Sequence, residues 1–271
     1  MSKRSGKRQS VLLIVLLFVV FSFSGSVFGA ATLSWSGAVD SNWNNPGNWT
    51  LSGLPAGRIP DKDILDDTAV NTQTNMPIVQ SGQSIECYNL MLARNFSAAT
   101  AVMTMNGGTF QLGRHFKIGQ DANTSGIFDM YDGTINIVDT LMAAQRGTGT
   151  FNMYDGVVNV DKIIPCESAT KQGTGTLNLY GGTMNANSMA FYSSAITTPL
   201  INMAGGTLVL LGDQSAIIST DVTAGFIKAY NGASTIQCSV AGGYTTVTAI
   251  PEPATILLFG LCGLIFTKRR T

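Results

Sequence analysis

Charge is scarce in this chain: only 12% of its 271 residues are Asp, Glu, Lys or Arg, about half of the roughly 25% usual in soluble domains. The sixteen basic and sixteen acidic residues cancel, which argues against a nucleic-acid binder that works by neutralising phosphates. Histidine occurs once, at His115, so no second imidazole can share a metal ion with it. Four cysteines, Cys87, Cys166, Cys238 and Cys262, show no CxxC spacing, which removes the usual zinc arrangement and leaves no expected cofactor. Apolar residues are not lacking. A hydrophobic share of 45% excludes disorder for want of a core, and the length suffices for one large domain or two small ones.

The few charges are unevenly placed. Lys3, Arg4, Lys7 and Arg8 stand at one end and Lys268, Arg269 and Arg270 at the other, while residues 31–250 hold nine basic and fifteen acidic residues, a net charge of −6. Basic residues beside the two longest apolar runs are a membrane-topology signature. The run VLLIVLLFVVF at 11–21 follows a basic start and precedes a small, polar stretch at 22–31, the layout of a secretory signal peptide over 1–30. Val27 with Gly29, or Gly29 with Ala31, supplies the small residues that cleavage requires; an uncleaved anchor is the alternative.

At the other end Pro251-Glu252-Pro253 leads into the apolar segment 254–266, closed by Lys268-Arg269-Arg270. The two prolines lack amide donors, and Pro253 holds Glu252 away from helical geometry, which makes the tripeptide a stiff handle. A helix over 254–266 is about 20 Å long, short of a ~30 Å bilayer core, so spanning needs the stretch Thr255 to Thr267 plus snorkelling of the basic tail and local thinning of the bilayer. This order of tripeptide, apolar span and basic stop resembles the PEP-CTERM sorting domain of exported bacterial proteins. The resemblance implies processing by a membrane-bound exosortase, transient residence in the inner membrane, and passage to the cell surface or exopolysaccharide matrix. It covers only 251–271 and leaves the passenger's activity open.

The middle of the chain is a repeat. Gly108, Gly133, Gly156, Gly182 and Gly206 are spaced 25, 23, 26 and 24 residues apart. Three residues before each stand Met105, Met130, Met153, Leu179 and Met203, and five before stand Met103, Phe128, Phe151, Leu177 and Ile201. After the glycine, Phe110/Leu112, Ile135/Ile137, Val158/Val160, Met184/Ala186 and Leu208/Leu210 continue the alternation, the signal of strands with one buried face. Asp-Gly turns also suit hairpins, but a third segment recurs further on, at Phe116/Ile118, Leu141/Ala143, Ile164/Cys166 and Ala190/Tyr192, with Leu90 to Ala93 as a worn earlier copy.

Three short strands per period describe one coil of a parallel β-solenoid, with coils stacked ~4.8 Å apart. Stretches such as Gly147-Thr148-Gly149-Thr150-Phe151-Asn152-Met153-Tyr154-Asp155-Gly156 resemble the β-solenoid repeats of autotransporter-like and PEP-CTERM surface proteins, over roughly 85–215.

The expected architecture is therefore all-β: a right-handed parallel β-solenoid of about 24-residue coils over 85–245. A Trp-rich cap with irregular first coils precedes it over 31–84. An N-terminal signal helix and a C-terminal transmembrane sorting segment (246–271) flank the whole. Trp35, Trp43 and Trp49 all fall in the cap, where they either cover the first coil or offer an aromatic sugar platform.

Chemistry is thinly represented. His115 is expected as a solvated corner residue, and the exported thiols as small buried residues or one disulfide plus a free thiol. Asp132 and Asp155 occupy equivalent turn positions in adjacent coils, suited to turns or to a carboxylate pair of a polysaccharide lyase or hydrolase. Tyr131, Tyr154 and Tyr180 point outward by parity in successive coils and form a candidate ligand face, beside Thr109/Gln111, Thr134/Asn136, Asn159, Thr183/Asn185 and Thr207. The sequence thus reads as a non-enzymatic surface or matrix structural protein. A glycan-binding or ice-binding module and a polysaccharide-cleaving enzyme are the alternatives.

Overall fold

The structure, a computed structural model, describes residues 31–251 apart from 53, 72, 95–99 and 168–171. The signal segment 1–30 lies outside the described residues, as do Glu252, Pro253, Lys268, Arg269 and Arg270 of the sorting motif and its apolar span. Among the described residues no helix is long and apolar enough to cross a membrane.

Period-two patterning sets each strand's buried face. In Thr148–Met153, Gly149, Phe151 and Met153 are buried while Thr148, Thr150 and Asn152 face outward. A strand of four to seven residues with one apolar face needs partners on both edges, and here they come from the neighbouring copies. Ser125–Met130 pairs in parallel with Thr100–Met105 on one side and Thr148–Met153 on the other, which aligns Met103, Phe128 and Phe151. The series runs from Ile78–Val79 through Gly173–Leu179 and Thr197–Met203 to Ile227–Ala229, a seven-stranded sheet in chain order. Pairing is therefore copy to copy, and the chain is an all-β solenoid of about six turns.

The other two segments of each coil lie in a fourteen-stranded sheet. In one coil they are separate strands, Thr109–Leu112 and Phe116–Ile118; in the next two they merge into Thr134–Ala144 and Val157–Cys166. The third segment corrects the sequence reading by one residue. Leu141 lies opposite Ile163, and Ile163 opposite Met189, so Ile163 and Met189 take the inward places expected of Ile164 and Ala190. From the turn glycine to this segment the interval is eight residues after Gly133 but seven after Gly156. The extra residue is absorbed where the register shifts between Ile137 and Thr140. Because side chains alternate, a single such bulge flips every later residue to the opposite face.

Stacked coils fill the interior with continuous apolar columns. Phe128 and Phe151 stack at 5.3 Å, and Phe116 meets Phe128 edge-on at 4.9 Å. Each such fully buried side chain contributes about 1.5–3 kcal/mol.

Coil stacking extends further toward the N-terminus than the repeat pattern. Thr32–Trp35 pairs in parallel with Asp67–Val70, and that strand with Asn89–Leu92. Trp35, Trp43 and Trp49 are all buried. Trp43 and Trp49 meet edge-on at 4.7 Å, and Trp43 reaches Phe110 at 5.5 Å, which joins the tryptophans to the aromatic column.

At the other end the solenoid stops by reversing direction. Tyr244–Ile250 adds antiparallel to Thr207–Leu211, and Thr235–Ala241 adds antiparallel to it in turn. A nine-residue helix, Ser215–Thr223, buries Ile218 against the end of the core. Coils were expected to continue to 245, and no helix was expected inside 85–245. The last coil has no successor to bury its open end, and the helix and hairpin cover it.

Candidate functional site

The repeat places equivalent outward residues one above another, so the surface is built of rows along the solenoid. Tyr131, Tyr154 and Tyr180 form such a row. Tyr131 and Tyr154 stack at 4.8 Å and 6°, and Tyr154 and Tyr180 at 5.0 Å and 15°. Burial pushes the Tyr154 phenol above its ordinary range, reinforced by the Asp129 carboxylate and the flanking tyrosines. The rings already touch at stacking distance, so no flat ligand enters between them. The column offers ring edges, hydroxyls and the outer faces of Tyr131 and Tyr180; Asn106 and Ala204 hold the equivalent places in the coils beyond.

Two amide ladders run parallel to that column. On the larger sheet Asn159 Nδ2 donates to Asn136 Oδ1 at 2.8 Å, and Asn185 Nδ2 to Asn159 Oδ1 at 2.9 Å. On the smaller sheet Asn152 Nδ2 donates to Asp129 Oδ1 at 2.8 Å, Asn178 to Asn152 at 2.8 Å, and Asn202 to Asn178 at 3.1 Å. Asn202 is fully buried, and its Oδ1 accepts the Asn231 backbone amide at 2.8 Å, which ties the ladder to the C-terminal closure. The second ladder was absent from the sequence reading. Its signal was the residue four before each turn glycine: Asp129, Asn152, Asn178 and Asn202.

The residues singled out for chemistry are mostly occupied structurally. Asp132 Oδ1 accepts the amide of Gly133 at 2.6 Å, and Asp155 Oδ1 that of Gly156 at 2.8 Å, so both carboxylates brace their own turns. The tryptophans offer no sugar platform. Trp35 Nε1 donates to the Asn75 carbonyl at 2.6 Å and Trp49 Nε1 to the Trp43 carbonyl at 2.8 Å, with the rings enclosed.

His115 is not the solvated corner residue expected. Its side chain is only 18% exposed, with Nδ1 3.5 Å from Asp139 Oδ2 but without a hydrogen bond. Burial lowers its pKa, against the opposing pull of the Asp139 carboxylate. Cys87 and Cys166 are buried thiols and Cys238 an exposed one. Among the described residues no group of three or more His, Cys, Asp or Glu could hold a metal.

One concavity lies on the outer face of the larger sheet, a groove of about 650 Å³. Its floor is the ladder of Asn136, Asn159 and Asn185, and beside them stand Asp161 and Asn187, joined at 2.8 Å. The exposed side chains of Val138, at the bulge, and Tyr244, in the closing hairpin, mark its two ends. Asp161, Asn187 and Tyr244 escaped the sequence reading: the signal of the first two was the fifth place after the turn glycines Gly156 and Gly182, whereas only the fold sets Tyr244 and its hairpin beside the coils. No family model, curated protein or solved structure matches the chain.

Proposed function

We propose that the chain is a non-enzymatic, exported structural protein of the cell surface or exopolysaccharide matrix. In this reading residues 1–30 direct export, and the tail after Ile250 holds the protein in the inner membrane until an exosortase-type enzyme processes it. The coils wind right-handed, and residues 11–21 and 254–266 form the signal and anchor helices. The observation that carries the reading is the order at the C-terminus: Pro251-Glu252-Pro253, an apolar span, then Lys268-Arg269-Arg270.

The described fold is consistent with a passenger of this kind. Covered at its ends by the tryptophan cluster and by the helix and hairpin, the solenoid forms a stiff rod whose amide rows bond from coil to coil, and Asp132 and Asp155 each brace their own turn.

The test is fractionation of an epitope-tagged full chain in an exosortase-containing host. Wild type should leave the membrane fraction and reach the surface. Replacing Pro251, Glu252 and Pro253 by alanine should leave an unprocessed, membrane-bound form. Unchanged release of the triple variant would refute the reading.

A further inference from the structure

The groove on the larger sheet is a binding site for a neutral, linear oligosaccharide segment, we infer, laid along the solenoid axis across the coils. The site is separate from the tyrosine column, and the inference holds whether or not the tail is sorted as proposed.

The first argument is hydrogen-bonding capacity. A side-chain amide has two donors and two acceptor lone pairs. Within the ladder Asn159 uses one donor to Asn136 and one lone pair for Asn185, so part of every amide remains for a ligand. The ladder also holds the amides in one orientation before any ligand arrives, which reduces the ordering needed on binding. Donors and acceptors thus alternate at the coil repeat of about 4.8 Å, matched to a polymer that presents hydroxyls at intervals along its length.

The second argument is shape. The coils carrying Asn136, Asn159, Asn185 and Val209, with Tyr244 from the hairpin, line the groove. Five strands at this spacing give a track about 19 Å long. Tyr244 lies opposite Leu211 across the antiparallel pair and is half exposed. It supplies a flat apolar ring with a polar tip at one end of the track, a surface suited to the face of a sugar ring.

The third argument is charge. Among the described residues no Lys or Arg lines the groove, and Asp161 is its one carboxylate. An anionic polymer would meet repulsion there, whereas a neutral hydroxyl can donate to the Asp161 oxygen that Asn187 leaves free. A peptide fits less well. The strands beneath the groove are bonded to neighbours on both sides, which leaves no edge on which a peptide could add as a strand.

The test is calorimetric titration of the full chain, purified in detergent, with cello-, laminari-, malto- and dextran oligosaccharides. Polygalacturonate and an uncharged decapeptide serve as contrasting probes. At least one neutral series should bind, and Asn159→Leu should weaken its affinity about tenfold. Tyr244→Ala, in an exposed position, provides a second variant with an expected loss of similar size. Asn178→Leu makes the same amide-to-alkyl change on the other sheet and should leave affinity unchanged, with far-UV circular dichroism confirming the fold of all three. The inference is overturned if no neutral oligosaccharide binds, or if polygalacturonate or the peptide binds more tightly. It is equally overturned if Asn178→Leu weakens binding as much as Asn159→Leu, or if Tyr154→Ala abolishes binding while the groove variants retain it.

Discussion

Replacing Gly156 by alanine tests the stacking of coils at a turn glycine. Gly156 has φ +90°, and an added Cβ would lie 2.5 Å from the Gly133 carbonyl oxygen and 2.8 Å from the Met130 methyl. The methyl can swing aside. The carbonyl cannot, because it accepts the Val157 amide at 2.9 Å and belongs to the coil below. Gly82 is the matched control: its φ is +78°, and a Cβ added there would meet nothing within 4 Å. Left-handed geometry costs an L residue about 1–2 kcal/mol, offset by about 0.4–1 kcal/mol from a stiffer unfolded chain. Gly82→Ala should therefore lose only about 1 kcal/mol. Gly156→Ala adds the overpacking term of about 1–3 kcal/mol, for a total loss of about 2–4 kcal/mol. Urea unfolding followed by circular dichroism measures both, with the midpoint shift compared at a common slope. Equal losses at the two positions would show that the coils do not press on one another at the turn glycines.

Three further outcomes follow from the described contacts. Asn202→Leu should destabilise the fold by about 0.5–1.5 kcal/mol, because it removes a fully buried amide that donates to the Asn178 side-chain oxygen and accepts the Asn231 backbone amide; an unchanged unfolding midpoint would contradict the ladder. Burial depresses the pKa of His115 from 6.5, so the folded state binds fewer protons than the unfolded one. The stability that results is present above about pH 6.5 and is lost as pH falls through the depressed folded-state value. His115→Gln should flatten that acid limb, and identical pH–stability curves for the two proteins would refute the assignment. Burial pushes the Cys166 thiol up to about 11 and the Cys87 thiol higher still. Alkylation at pH 8 with peptide mapping should then modify Cys238 and spare Cys87 and Cys166 until denaturant is added.

Much of the solenoid was legible because its rule is local. Alternation around each turn glycine assigns Met130, Met153 and Leu179 to the interior and Tyr131, Tyr154 and Tyr180 to the exterior, and near-equal spacing stacks like on like. The third segment was misread where that rule meets an insertion. Val138 and Asp139 occupy the bend where the next coil has one residue fewer, and a period of two cannot report a shift of one. The helix Ser215–Thr223 went unread because only Ile218 in it is buried, which leaves no apolar stripe for a periodicity argument.

The candidate groove was less legible than the column. Asn136, Asn159 and Asn185 were visible as an outward row, but nothing local indicates that the sheet is concave there or that Tyr244 closes one end. His115 looked like a corner residue because it sits between Arg114 and Phe116 beside an expected corner; Asp139, a coil away, takes part in its enclosure.

What the sequence determined by itself is the coil: its length, its inner and outer faces, and the residues that recur at each level. These follow from side-chain alternation along an extended backbone, a property of neighbours in the chain. The tertiary structure alone decided the register across the bulge, the antiparallel closure of the last coil and the groove between ladder and hairpin. Those depend on which strands lie side by side in space, and residues remote in sequence carry no periodic signal of their meeting.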